Sequence, residues 1–285
     1  MSNPTPNSNR VRCILFWVDG ILVKYDESSL FESLIGLDSY VEDGCVGQLL
    51  SVNTPQTTET YFNQLLGFQP EASPPPTYDE FKKKYKDLNL RVLSSSQSFC
   101  EGLSGKGFEC THVDDYDKVV KIINDHDVDI EMVIVHVQTA STEECDRKRT
   151  ILTADHLIHQ LYNDLPKSEQ QQNRTIFIGT ILSFAPDHSD VEIPLTEEQA
   201  QSKAVVPDWF KLPAQSTEFF EGKPFQARQT SPMFVVNSHP IVTRKDCIKG
   251  FKDTEFIKGS SGKMLIMQYL RGLAFKMGHA EKYGA

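Results

Sequence analysis

The chain has 285 residues, of which 39% are hydrophobic and 24% charged, and it carries a formal net charge of −10 at neutral pH. These values describe an ordinary globular protein, long enough to bury a core in one large domain or two small ones. The acidic balance excludes a general nucleic-acid or anionic-membrane surface, which requires a basic face, and no apolar run in the sequence reaches the roughly 18 residues of a membrane span.

Residues 1–10 (MSNPTPNSNR) are polar and contain prolines, so a disordered lead is expected there and not a secretory signal. Cys13, Cys45, Cys100, Cys110, Cys145 and Cys247 form neither a CxxC pair nor a framework spacing. That usage fits a reducing compartment. The expected location is intracellular, cytoplasmic or nuclear, which makes the Asn173-Arg174-Thr175 sequon incidental.

Val11 to Gly20 (VRCILFWVDG) is apolar or Cys at every position to Val18 except Arg12, and then meets Asp19-Gly20. An apolar run bounded by a turn signal reads as a strand buried on both faces. Asp19 would then lie at the strand's carboxyl end, where open parallel sheets bind ligands; the bland reading is a turn aspartate bonded to its own backbone. Residues 28–36 read as a short amphipathic helix, and Tyr40 to Gly47 as a return through two glycines. Residues 54–67 (TPQTTETYFNQLLG) read as a loop feeding a helix N-terminus, with several hydroxyls placed to cap it.

Residues 69–78 (QPEASPPPTY) are the strongest breaker in the chain and are expected to span the rim of one domain. The run Lys82-Lys83-Lys84-Tyr85-Lys86 reads as a solvated helix face. Leu90 to Leu93 is apolar and leads into three serines. A helix over about 115–124, a strand over 130–137 (IEMVIVHV) and a helix over about 150–165 follow. His156 and His159 stand three apart on that last helix and lack a nearby third ligand, which favours a half-solvated surface over a metal site.

Residues 175–180 (TIFIGT) and 233–236 give two further strands, and 262–278 a closing helix. Between them, residues 181–230 are Pro-punctuated and carry Trp209, Phe210, Phe219 and Phe220. This predicts an irregular excursion packed on the sheet. Strands alternating with helices predict an α/β fold, a three-layer α/β/α sandwich.

The ordered set of segments resembles a known family. VRCILFWVDGI is similar to the opening strand of the alkaline phosphatase superfamily, and GCVGQLLSVNTPQTTETYFNQLLGFQP resembles the nucleophile region of cofactor-independent phosphoglycerate mutases of the archaeal type. VLSSSQSFCEGLSGKGFE, MVIVHVQTASTEECD, TADHLIHQLYNDL, TIFIGT and SPMFVV follow in the family's order, so the likeness spans about Val11 to Met277. It implies an alkaline-phosphatase-like fold with a mostly parallel central sheet, taken as one domain over 11–285.

It also implies a hydroxyl nucleophile poised over two divalent metals. Asp19 matches the family's opening metal ligand, and the nucleophile falls on Thr58, with Thr57 as the one-residue alternative. The remaining ligand positions fall on Ser141, Cys145, Leu182, Ser183 and a site near Gln226, which cannot supply the charge or donors of carboxylates and imidazoles. Asp187-His188 lies five residues beyond the expected Asp-His pair.

The expectation is therefore a pseudoenzyme, a non-catalytic interaction or scaffold protein with protein partners. Its loops 69–88 and 181–230 would be free to bind them, it would carry no cofactor and it would use neither nucleic acid nor membrane; Asp19 and Thr58 would be vestigial. The alternative is a phosphatase or phosphotransferase with Thr58 as nucleophile and one divalent ion, Mg, Mn or Zn, held by Asp19, Asp187 and His188. A third reading is a binding module whose pocket takes a phosphorylated ligand without turning it over.

Overall fold

The structure is a computed structural model and describes residues 11–52, 57–69, 75–124, 130–170, 175–188, 190–194, 219–220, 223–224, 226–238 and 245–281. Its centre is β1 (Val11–Leu22), whose residues Cys13 to Val18 are all buried. Parallel neighbours flank it, β5 (Met132–Gln138) on one side and β6 (Thr175–Phe184) on the other. Both are apolar and β-branched-rich, as a strand covered on two faces requires.

Beyond β5 lie β3 (Leu90–Ser94) and the edge strand β4 (Glu109–His112); beyond β6 lie β9 (Met233–Ser238), β2 (Cys45–Leu50) and β10 (Gly262–Leu265). The sheet order is β10-β2-β9-β6-β1-β5-β3-β4. Seven strands run one way, and β9 runs against both of its neighbours. A two-residue ladder pairs β7 (Phe219–Phe220) with β8 (Lys223–Pro224) apart from this sheet.

Alternation along β1 builds the two outer layers. Ile14, Phe16 and Val18 join the core under α1 (Ile35–Glu42), α5 (Tyr116–Asn124), α6 (Glu144–Gln170) and the short α7 (Asp253–Phe256). Cys13, Leu15 and Trp17 join the core under α2 (Thr58–Leu65), α3 (Tyr78–Lys84), α4 (Gln97–Ser104) and α8 (Ile266–Lys276). The α/β/α sandwich read from the sequence is present, and the four predicted strands share one sheet.

Several boundaries differ, each for a local reason. The helix expected over 28–36 is a 3-10 turn at Ser28–Phe31, because Ser33 takes a left-handed φ of 66° and ends it before α1 begins at Ile35. The glycine return over 40–47 is instead the end of α1 and the start of β2. Gly47 lets β2 lie close to its neighbour, since a Cβ there would come 2.7 Å from the Ser261 Cβ. Helix α3 starts in a capping box between Thr77 and Glu80, directly after the Pro-rich stretch; residues 70–74 of that stretch lie outside the described residues.

The helix expected from about 150 begins at Glu144, after a turn in which the Ser141 Oγ accepts from the Glu143 N–H at 3.2 Å and donates to Asp146 at 2.6 Å. Residues 181–184, assigned to the excursion, continue β6, while 189, 195–218, 221–222 and 225 lie outside the described residues. The closing segment divides into β10 and α8.

Leu161 on α6 is fully buried. Truncation to Ala should cost about 2–5 kcal/mol through lost burial and a residual cavity. Leu161→Asp should abolish cooperative folding, since it buries an unpaired charge; urea denaturation followed by circular dichroism reads both outcomes.

Candidate functional site

Asp19 lies where β1 breaks register with β6. Val18 faces Leu182 and Leu22 faces Phe184, so four steps on β1 match two on β6. Gly20 absorbs the bulge with φ at 72°, a conformation an L side chain adopts only under strain. Asp19 shares the parity of Cys13, Leu15 and Trp17, which puts its carboxylate in the layer under α2, where it is 5% exposed.

Three elements converge on that carboxylate. The Thr58 hydroxyl, on the first turn of α2, donates to Oδ2 at 2.6 Å. The Ser183 hydroxyl, from β6, donates to Oδ1 at 2.5 Å while accepting from the Gly20 N–H at 3.0 Å. His136, opposite Trp17 on β5, brings Nε2 to 3.5 Å from Oδ2. That is a long, weak hydrogen bond.

The imidazole is itself fixed. Its Nδ1 lies 2.8 Å from the Ser94 hydroxyl, and Ser94 also accepts from the Ser96 N–H at 3.0 Å. Trp17 and Phe99 pack on the ring with centroids at 4.7 and 4.6 Å. Burial alone pushes the Asp19 carboxyl up. The imidazole of His136, through its N–H and its charge, together with the Ser183 and Thr58 hydroxyls, outweighs burial and holds the carboxyl below its usual value.

Thr57, the alternative nucleophile position, is exposed and serves as the N-cap of α2, its hydroxyl accepting from the Thr60 N–H at 3.1 Å. The Asp19–Thr58 contact therefore selects Thr58 of the two. Ser141 bonds the Glu143 N–H and the Asp146 carboxylate at the start of α6, Cys145 is exposed on the first turn of that helix, Leu182 is buried in the layer opposite the site, and Gln226 is exposed beside the Val52–Ala227 bridge. Ser183 is brought to Asp19, but as a hydroxyl donor.

His188 sits in the turn after β6, and its carbonyl accepts from the Ser231 hydroxyl at 2.9 Å; the Asp187 side chain lies outside the described residues. Among the described residues, Asp19 is partnered by Thr58, Ser183 and His136, and no three His, Cys, Asp or Glu side chains converge as a metal-ligand group. The donor set of one carboxylate, two hydroxyls and one imidazole does not fit a two-metal centre. His156 and His159 lie on α6, away from this layer.

Sequence reasoning missed His136. It sits within the apolar run 130–137, and the available signal was its parity, since alternation from Met132 and Ile134 puts it on the Trp17 side of the sheet. The lowered Asp19 pKa sets the sign of a pH effect. Its stabilisation is fully present above the unfolded carboxyl pKa of about 3.9 and is lost as pH falls through the lower folded value. Asp19→Asn should therefore lower stability at neutral pH and flatten the acid limb below about pH 4, as measured by urea midpoints across pH.

No protein-family model matches the sequence, and no curated protein matches it. Solved structures do match at the level of fold. A Pyrococcus horikoshii protein, PH0037, superposes with a TM-score of 0.64 at 12% identity, covering 98% of this chain and 100% of its own. A cofactor-independent phosphoglycerate mutase from Thermoplasma acidophilum superposes at 0.52 and 9% identity, covering 92% and 99%. A Vibrio parahaemolyticus protein of the alkaline phosphatase superfamily gives 0.47 at 10% identity, over 95% and 67%. The chain has the alkaline-phosphatase-like α/β/α fold of the archaeal cofactor-independent phosphoglycerate mutase.

Proposed function

We propose that this chain is a non-catalytic interaction protein built on a phosphoglycerate-mutase-like fold. The observation that carries this reading is the company Asp19 keeps, since its two oxygens accept from the Thr58 and Ser183 hydroxyls and meet no further carboxylate among the described residues. A divalent ion bound there would find hydroxyls, a thiol, an amide and an aliphatic side chain at the family's other ligand positions. A fold kept without its donor set keeps its packing and its surface, and surfaces serve binding.

A second reading rests on the Thr58–Asp19 contact at 2.6 Å, the geometry of a hydroxyl nucleophile against a base. The direction of the Asp19 pKa disfavours it. A carboxyl held below its usual value is a weak base, and catalytic carboxylates are tuned upward toward the working pH. The same hydroxyl bond serves a structural role, tying the N-terminus of α2 to the sheet.

The purified full chain should convert no 3-phosphoglycerate and should hydrolyse p-nitrophenyl phosphate no faster than Thr58→Ala does. Dialysis against Mn or Zn followed by metal analysis should return well under one equivalent per chain. Turnover that depends on Thr58 and rises with added metal would overturn the reading in favour of the phosphotransferase.

A further inference from the structure

Far from Asp19 in sequence, α4 and the edge strand β4 bring two thiols into contact. Cys100 Sγ and Cys110 Sγ lie 2.7 Å apart. A disulfide bond is about 2.05 Å long, so closing the gap takes less than an ångström of movement. Cys100 is buried on α4, while Cys110 is half-buried on β4, the edge strand of the sheet.

We infer that Cys100 and Cys110 are a reversible disulfide site, closed by a peroxide and reopened by a small thiol. The Cys110 sulfur attacks one oxygen of hydrogen peroxide, giving a sulfenic acid and one water. The Cys100 sulfur then attacks the sulfenic sulfur, forming the Sγ–Sγ bond and releasing a second water. Two thiols are oxidised, one peroxide is reduced, and both thiol protons leave in the waters.

Burial, with Cys100 beside it, pushes the Cys110 thiol well up, so closure is slow and the pair is not a fast peroxide sensor. The consequence is mechanical. The link staples the exposed edge of the sheet to the helix carrying Phe99, whose ring packs on His136 and Trp17.

The test is favoured by the sequence, because Lys106 lies between the two cysteines. Trypsin cutting after Arg91, Lys106 and Lys118 puts Cys100 on the peptide 92–106 and Cys110 on 107–118, each with a single cysteine. The full chain, in a Cys145→Ser/Cys247→Ser background that removes two exposed thiols, is treated with hydrogen peroxide, alkylated and mapped without reduction. The expected result is one linked species that splits on reduction and is missing from Cys110→Ser.

The oxidised protein should also unfold about 4–5 °C higher, the shift for closing a loop of about 11 residues in a chain of this length. Recovery of Cys100 and Cys110 as free thiols or sulfinic acids would overturn the inference. So would linkage that forms equally in urea with no thermal shift, since the fold would then have no part in it. Cys100→Ser, if folded, repeats the Cys110→Ser result from the buried side.

Discussion

A carboxylate buried at the end of the central strand is the constraint around which this molecule is arranged. Desolvating Asp19 without partners would cost several kcal/mol, so the fold must bring donors to it. It does so from α2 through Thr58, from β6 through Ser183 and from β5 through His136. Each partner belongs to a different element, so satisfying one side chain fixes the carboxyl end of the sheet against the helix layer above it. The β1 bulge at Gly20 serves the same end, because it sets the Gly20 N–H on Ser183 and leaves that hydroxyl free to donate to Asp19.

The chemistry of those donors separates this site from a metal centre of the same fold. Two dications require several carboxylates and imidazoles to balance their charge. Here one negative charge meets two hydroxyl donors at 2.5 and 2.6 Å and one imidazole at 3.5 Å.

How much of this was legible varies with burial. The parallel strands β1, β5 and β6 are apolar runs and were readable, because central parallel strands must be apolar on both faces, and the buried antiparallel β9 was readable from its Met-Phe-Val-Val run. The strands β2, β3, β4 and β10 are short or lie toward the sheet's edges, and β4 reads Glu-Cys-Thr-His with no apolar residue but Cys. Such strands are specified by their neighbours more than by their own pattern. The Thr58 position emerged only from the family resemblance, and the hydroxyl that Ser183 donates to Asp19 was not foreseen at the position read as a replaced ligand. Tertiary contacts of that kind depend on the register between β1 and β6, which no local pattern encodes.

The layer above Asp19 carries the last step. From Trp17, aromatic contacts pass to Phe62 at 6.4 Å, from Phe62 to Phe108 at 5.9 Å and from Phe108 to Tyr78 at 5.3 Å, joining β1, α2 and α3. Phe99 enters the same cluster from α4, touching Trp17, Phe62 and His136. Each such pair adds about 0.5–1.5 kcal/mol beyond area burial, and dense interiors transmit strain in place of absorbing it. The Asp19 site and the thiol pair on α4 and β4 are therefore anchored in one packed unit. Its rigidity holds His136 at a fixed distance from the carboxylate, and a substitution that loosens Phe99 must also loosen the charge balance at Asp19.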